Sequence, residues 1–363
     1  MALKRRCKNI DITDYDFILR SVEDCLRNKR KSRNDILRIR EEIGTNEEIA
    51  KVLQNEIINE KLKLKPIRYR NKYDDNSQKW RRIGIQDIKQ QMYDYVAVNG
   101  LWELEKSIGH YQCASVKGKG QIYCAKAIAS HIRDNSVKYY CKMDIRKYYE
   151  SIPRDKLMEW LRKRVKNRKL LWLIQTLLDT FDNGLSIGSY LSQHLGNLYL
   201  SDIYHKLEAL SKTRRGKRTK IVTFQAFYMD DILIVGKNSR ELVKTANLIA
   251  EMCREKGLEI KPTWNCQKID SSFIDMAGYR IYRDHMTVRR GTMKKIRRTF
   301  VRYDADSKTS ARRVISHYGI IKHADSYKFC HKYDVHKKLK SAKEVVSKNG
   351  KKKNCVRQKD AES

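Results

Sequence analysis

Two adjacent carboxylates, Asp230 and Asp231, lie between two short apolar runs, Phe224-Gln225-Ala226-Phe227-Tyr228 and Ile232-Leu233-Ile234-Val235. Runs of this length, rich in aromatic and β-branched residues, predict two buried strands of a hairpin with Met229-Asp230-Asp231 at its tip. Side chains alternate faces along a strand, so one acid points toward a cation while its neighbour lies nearby. Carboxylates at the end of an apolar hairpin are costly unless positive charge meets them. A third acid, Asp144, ends a strand predicted from Tyr139 to Met143, where the chain leaves its sheet. On an adjacent strand it can meet the hairpin and share a divalent ion; hard carboxylate oxygens suit Mg2+.

Other segments must position these acids. Pro66 opens a stretch predicted as a strand at Ile67-Arg68-Tyr69-Arg70, a turn at Tyr73-Asp74-Asp75-Asn76-Ser77 and a returning strand at Lys79-Trp80-Arg81-Arg82-Ile83-Gly84-Ile85. Such a basic hairpin can fold over a triphosphate with Arg81 as a bidentate clamp; a generic basic strand is the competing reading. Ile88 to Glu105 has helical periodicity, and Ala114 to Gln121 is a basic loop whose glycines permit close approach to phosphates, without P-loop spacing. Ser151 is expected to cap a helix with Pro153 in its first turn. Gly184-Leu185-Ser186-Ile187-Gly188-Ser189 has small residues where backbone comes close to something, and it runs into a helix. Lys212 to Lys220 is expected as a basic loop, Leu242 to Lys256 as a helix with Gly257 at C′, and Leu258–Ile260 and Ile274–Ile281 as strands.

Composition bounds the partner. The 363 residues carry 79 Lys+Arg against 43 Asp+Glu, a formal charge of +36 spread along the chain, which points to a long polyanion rather than to mere solubility. Nine cysteines without C-x-x-C pairs or zinc-ligand spacing read as reduced thiols of a cytoplasmic protein. No apolar run reaches the length of a membrane span, and no signal core follows Met1.

Taken in order, these motifs resemble a reverse transcriptase: basic strand, Asp-then-Tyr strand, Gly-containing junction, Tyr228-Met229-Asp230-Asp231, then Ala277-Gly278-Tyr279-Arg280-Ile281. The resemblance implies an α+β, right-hand polymerase fold with an antiparallel-sheet palm, fingers and a helical thumb. Residues 1–65 would be an N-terminal helical region, 66–285 fingers and palm, 286–345 thumb, and 346–363 a basic flexible tail. It further implies two Mg2+ ions, with Mn2+ as the alternative, held by Asp144, the neighbouring Ile145, Asp230 and Asp231; ions in such sites lie about 3.5–4 Å apart. Lys79, Arg81, Arg82, Tyr149, Ile187 and Gly188 would bind the incoming nucleotide, Tyr149 as the gate that excludes a ribose 2′-hydroxyl. Ser192, Gln193, Gly278, Tyr279, Lys322 and His323 would contact template or primer. The substrates implied are an RNA template, a DNA or RNA primer and dNTPs.

Two departures from the common family pattern narrow the type. Ile187 stands where many members have Gln, and Ile187-Gly188 with Ser192-Gln193 resembles the form in diversity-generating retroelements, as do Leu258 to Asn265 and Ser316 to Ala324. That likeness implies error-prone synthesis opposite template adenines, a small basic helical-bundle accessory protein, a structured template RNA and a bacterial or phage source. Retron, group II intron-like and phage-defence enzymes are the alternatives within the family, and a viral RNA-dependent RNA polymerase and a non-catalytic RNA-binding scaffold the alternatives outside it. No lysine occupies the place where a proton donor to pyrophosphate is often found; Lys261 and Lys268 are near.

Overall fold

The computed structural model describes residues 5–74 and 79–359, excluding the side chains of residue 214 and of residues from 348 onward. Helices α1 (Tyr15–Leu26), α2 (Asn34–Glu42) and α3 (Asn46–Ile58) come first. Asp14 accepts the Phe17 N–H to start α1, and Thr45 with Glu48 forms a reciprocal capping box on α3. Strands β1 (Arg68–Asp74) and β2 (Lys79–Ile85) pair antiparallel from Arg68↔Ile85 to Asp74↔Lys79. Much of the turn expected between them, with residues 75–78, falls outside the described residues. There follow α4 (Ile88–Gly100), α5 (Trp102–Glu105), α6 (Gln121–Ile132), β3 (Tyr139–Asp144), α7 (Tyr148–Ser151), α8 (Arg154–Arg162), α9 (Arg168–Leu178) and α10 (Tyr190–Ala209). Then come β4 (Ser211–Arg214), β5 (Lys217–Lys220), β6 (Phe224–Tyr228), β7 (Asp231–Gly236), α11 (Ser239–Glu255) and β8 (Cys266–Lys268). The chain closes with β9 (Ile274–Met276), β10 (Tyr279–Ile281), β11 (Met286–Val288), α12 (Arg290–Val301), α13 (Lys308–Ile321), α14 (Tyr327–Lys332) and α15 (Val335–Lys359). The last helix includes much of the segment expected as a tail.

Two compact units divide this run: residues 1–120 with 139–266, and residues 121–138 with 267–363. In the first, β6, β7 and β3 lie side by side, all antiparallel, with Ala226↔Leu233 and Cys141↔Ile234 in register. The strands are apolar at nearly every position because both faces are covered: Ile232, Leu233, Ile234 and Val235 are all fully buried. In the second unit, β9, β10 and β11 form a separate antiparallel sheet.

Four local expectations are corrected. Ser151 does not open α8: its hydroxyl donates to the Tyr148 carbonyl (3.0 Å) and closes α7, and Pro153 is the residue before the first turn of α8. Ile274–Ile281 is not one strand, because Ala277 and Gly278 both have positive φ (51° and 86°) and turn the chain between β9 and β10. Leu258–Ile260 contributes only an isolated bridge, Ile145↔Ile260. Lys212–Lys220 is a hairpin, β4–β5, rather than a loop. Gly257 does end α11 as expected: the Leu258 N–H reaches the Cys253 carbonyl at 2.8 Å. No helix among the described residues is long and apolar enough to cross a membrane.

Candidate active site

The tip of the β6–β7 hairpin is the pair Met229-Asp230, closed by Tyr228↔Asp231. Met229 takes a left-handed φ of 55°, a costly conformation for a residue with a side chain. It is held from both sides. The Asp230 carbonyl accepts the Ile145 N–H at 3.1 Å, and the Met229 sulfur lies 3.3 Å from the Tyr149 hydroxyl. Asp144 and Asp231 are direct partners across β3 and β7, so they share a face of the sheet.

The three acids are therefore brought together. Asp230 registers it: burial pushes its carboxyl up to about 6, Asp231 and Asp144 add repulsion, and the charge of Arg81 opposes. The neighbours of the acids include cations that the sequence reading did not assign to them. Lys142 Nζ lies 2.8 Å from Asp231 Oδ1, and Lys261 pairs with Asp144. Lys142 was findable, since two residues before Asp144 on a strand it must share that face. Lys261 is carried in by backbone pairing, its N–H donating to the Asp144 carbonyl at 2.9 Å.

The residues expected to bind the nucleotide divide. The charge of Arg81 reaches Asp230, while its guanidinium also pairs with Asp74 at 3.0 Å. Lys79 is opposite Asp74 in the ladder. Arg82, one residue along the strand, points the other way, stacked 3.7 Å over the Tyr69 ring and 2.5 Å from Asp182. Tyr149 sits half-buried beside the turn; burial and the Asp230 charge push its hydroxyl well above the usual range. Its carbonyl accepts the Leu185 N–H at 2.7 Å, fixing the start of the junction. Gly184 is required there: a Cβ would stand 2.5 Å from the carbonyl oxygens of Tyr149 and Glu150.

The junction is docked on β2. The Ile187 carbonyl accepts the Gly84 N–H at 2.7 Å, and a Cβ on Gly188, whose φ is 113°, would stand 2.5 Å from the Gly84 oxygen. Asp94, fully buried on α4 and missed in the sequence, holds this joint. Its Oδ2 accepts from Ser189 Oγ (2.8 Å) and the Leu191 N–H (3.2 Å), and its Oδ1 from Gln86 Nε2 (3.2 Å). A lone Asp within a helical pattern gives no sign of such a role. Ser192, expected against a strand of nucleic acid, is fully buried, and its hydroxyl accepts the Ser186 N–H at 3.2 Å; it shapes the junction instead. Gln193 beside it is half-buried.

Gly278, Tyr279, Lys322 and His323 belong to the second unit. Gly278 occupies the β9–β10 turn, with open space where a Cβ would be. Tyr279 is buried and donates to the Ile320 carbonyl at 3.0 Å, an internal bond. Lys322 is exposed just past α13, and His323 is held below its ordinary value by partial burial and by Lys126 and Lys322.

A family model for reverse transcriptase (RNA-dependent DNA polymerase) matches residues 70–280, more than half of the chain. The chain belongs to the reverse transcriptase family. It is an RNA-directed DNA polymerase, a nucleotidyltransferase whose substrates are an RNA template, a primer and dNTPs. No curated protein matches the chain.

Reverse transcriptases generally use divalent metals, typically Mg2+. The donor set here fits such an ion: its oxygens are hard, and the Asp230 carboxyl is buried and crowded by the like charges of Asp231 and Asp144. As they stand, the described residues contain no group of three His, Cys, Asp or Glu side chains set to hold a metal, and lysines lie on two of the carboxylates.

Proposed function

We propose that Asp144, Asp230 and Asp231 carry out template-directed transfer of deoxynucleotides, and that the enzyme is of the diversity-generating type. The observation that carries the catalytic reading is the register Asp144↔Asp231 with Asp230 at the adjoining turn, three carboxylates on one end of one sheet. Asp144 and Asp230 would hold Mg2+, with the Ile145 carbonyl, which shares an edge with the N–H bonded to Asp230. Bound there, the metal supplies Lewis acidity to the primer 3′-hydroxyl and charge neutralisation to the triphosphate. The primer 3′-hydroxyl gives its proton to solvent water as its oxygen attacks the α-phosphorus; a new P–O bond forms, the bond from the α-phosphorus to the α–β bridging oxygen breaks and pyrophosphate leaves. Lys261, already at Asp144, is our assignment for the proton that pyrophosphate takes up. Arg81 and Lys79 would bind phosphate oxygens. The Tyr149 ring, steadied by Met229, would fill the space of a 2′-hydroxyl.

The type rests on Ile187. Its backbone is fixed to Gly84, but its aliphatic side chain offers no hydrogen bond to a base pair, so a Gln-bearing relative grips more firmly. The expected partners are a structured template RNA and a small basic helical accessory protein. Primer extension with dNTPs on an RNA template tests both parts. Activity requiring Mg2+, abolished by Asp230→Asn, is expected; equal activity in that variant would refute the catalytic assignment. Parent and Ile187→Gln should differ in errors opposite adenine, and identical error spectra would refute the role given to Ile187.

A further inference from the structure

At the other end of β6 from the catalytic turn stands the β4–β5 hairpin. Its ten residues, Ser211 to Lys220, include six basic residues and no acid. The register Ser211↔Lys220 to Arg214↔Lys217 makes it a two-stranded ribbon closed by Arg215-Gly216, whose φ values of 49° and 74° fit the tight turn of a regular hairpin. Nothing lies within 4 Å of where a Cβ on Gly216 would be, so the tip projects into open space.

The ribbon is fastened at its base. Lys212 pairs with Glu241 on α11, Arg218 Nε donates to Ser211 Oγ at 2.7 Å, and the Ile221 N–H donates to the Leu210 carbonyl at 3.2 Å. Lys212 and Thr219 are half-buried, whereas Thr213, Arg215, Lys217, Arg218 and Lys220 are exposed. Arg240 and Lys244, beside Glu241 in sequence, are also exposed. The length of β6 alone puts about 13 Å between the base of the ribbon and the Met229-Asp230 turn. The contacts that fasten the ribbon run to Leu210 and Glu241, not to the three acids.

The side chains discriminate among partners. The ribbon has no aliphatic or aromatic residue. It lacks the apolar face that inserts into a membrane interface and the aromatic anchors that dominate protein interfaces. It also lacks the rings on which unpaired bases stack. What remains is a projecting array of cations, which suits phosphates whose bases are already paired. We propose that the β4–β5 ribbon is a second nucleic-acid contact, gripping the phosphate backbone of a duplex stem away from the catalytic carboxylates. This goes beyond the polymerase activity and does not depend on it.

The test uses the full chain with Arg215→Gln, Lys217→Gln and Lys220→Gln combined, and a closed RNA dumbbell that offers no 3′ end as primer. Binding is followed by fluorescence anisotropy between 50 and 200 mM KCl, with thermal melting as the folding control. Removing three phosphate contacts should lower the slope of log K against log salt by about 2 to 3 and weaken dumbbell binding about ten-fold or more at 100 mM. Binding of an unstructured oligonucleotide should change less than two-fold, as should primer extension on a short template. Unchanged dumbbell affinity and slope in a normally melting variant would overturn the proposal. So would an equal loss for the unstructured strand.

Discussion

At the scale of single residues, Asp94 makes the sharpest statement. It is wholly buried, and burial pushes its carboxyl up to about 6 from 3.8 although Ser189, Leu191 and Gln86 all donate to it. The folded protein thus holds this proton more tightly than the unfolded chain does. The group's contribution to stability is greatest below about pH 4, falls as pH rises toward about 6, and is level above. The gap corresponds to on the order of 3 kcal/mol. Asp94→Asn should remove this residue's share of the pH slope without unfolding the protein. The Oε1 atom of Gln86 is buried with no hydrogen bond, so a flip of that amide lets it accept from the new Asn. Asp94→Ala has no such remedy: it strands the Ser189 hydroxyl and the Leu191 N–H, at about 1–3 kcal/mol for each buried group left unpaired. Urea unfolding of the three proteins at pH 4.5 and pH 7 measures both effects; Asp230, also pushed up to about 6, keeps its own share of the slope, so a slope as steep as the parent's in Asp94→Asn would refute the assignment to this residue.

At the scale of elements, the joint between β2 and the junction before α10 controls where Arg81 stands relative to Ile187. Gly188→Ala is expected to push the Gly84 carbonyl away, because its Cβ would lie 2.5 Å from that oxygen at a φ of 113°. The cost should be about 1–3 kcal/mol in stability, and the KM for dNTPs should rise about ten-fold. Gly216→Ala is the matched control: its φ is also positive, at 74°, but its Cβ meets nothing. Equal KM values in the two variants would show that the joint does not position the nucleotide. The elements differ in how legible they were. The β6–β7 hairpin and β3 could be read directly, because runs rich in aromatic and apolar residues end abruptly at Met229-Asp230 and at Asp144, and the β-branched run Ile232 to Val235 follows the first of these turns. The β4–β5 ribbon could not, since strands of Lys, Arg and Thr that cover no core carry no apolar alternation. The β9–β10 turn was hidden for the opposite reason: Ala277-Gly278 lies inside an otherwise strand-like run. Lys261 and Asp94 act on residues far off in the chain, and spacing alone does not encode such meetings.

At the scale of the whole molecule, the chain is threaded through two units. It leaves the first at Gly120, contributes α6 to the second, and returns at Tyr139 to form the strand that bears Asp144. A boundary after residue 285 would cut between β10 and β11, which pair from Tyr279↔Val288 to Ile281↔Met286. The excursion is secured by Arg283. Its guanidinium pairs with Asp270 and donates to the carbonyls of Ile132, Asp134 (3.0 Å) and Val137 (3.0 Å). Arg283→Met keeps a long stem but leaves those carbonyls and Asp270 without the guanidinium. The three charge-assisted bonds to the carbonyls are worth on the order of 3 kcal/mol together, so opening of the 121–138 segment should become about 100-fold more frequent. Hydrogen exchange can resolve this amide by amide. Faster exchange is expected at Ala125, Ile128 and Ile132, which are buried in the second unit, and not at Leu233 or Ile234 in the β7 core of the first. Loss of protection in both sets alike would mean that the chain opens as one cooperative body, and that α6 is not held separately from the strand it precedes.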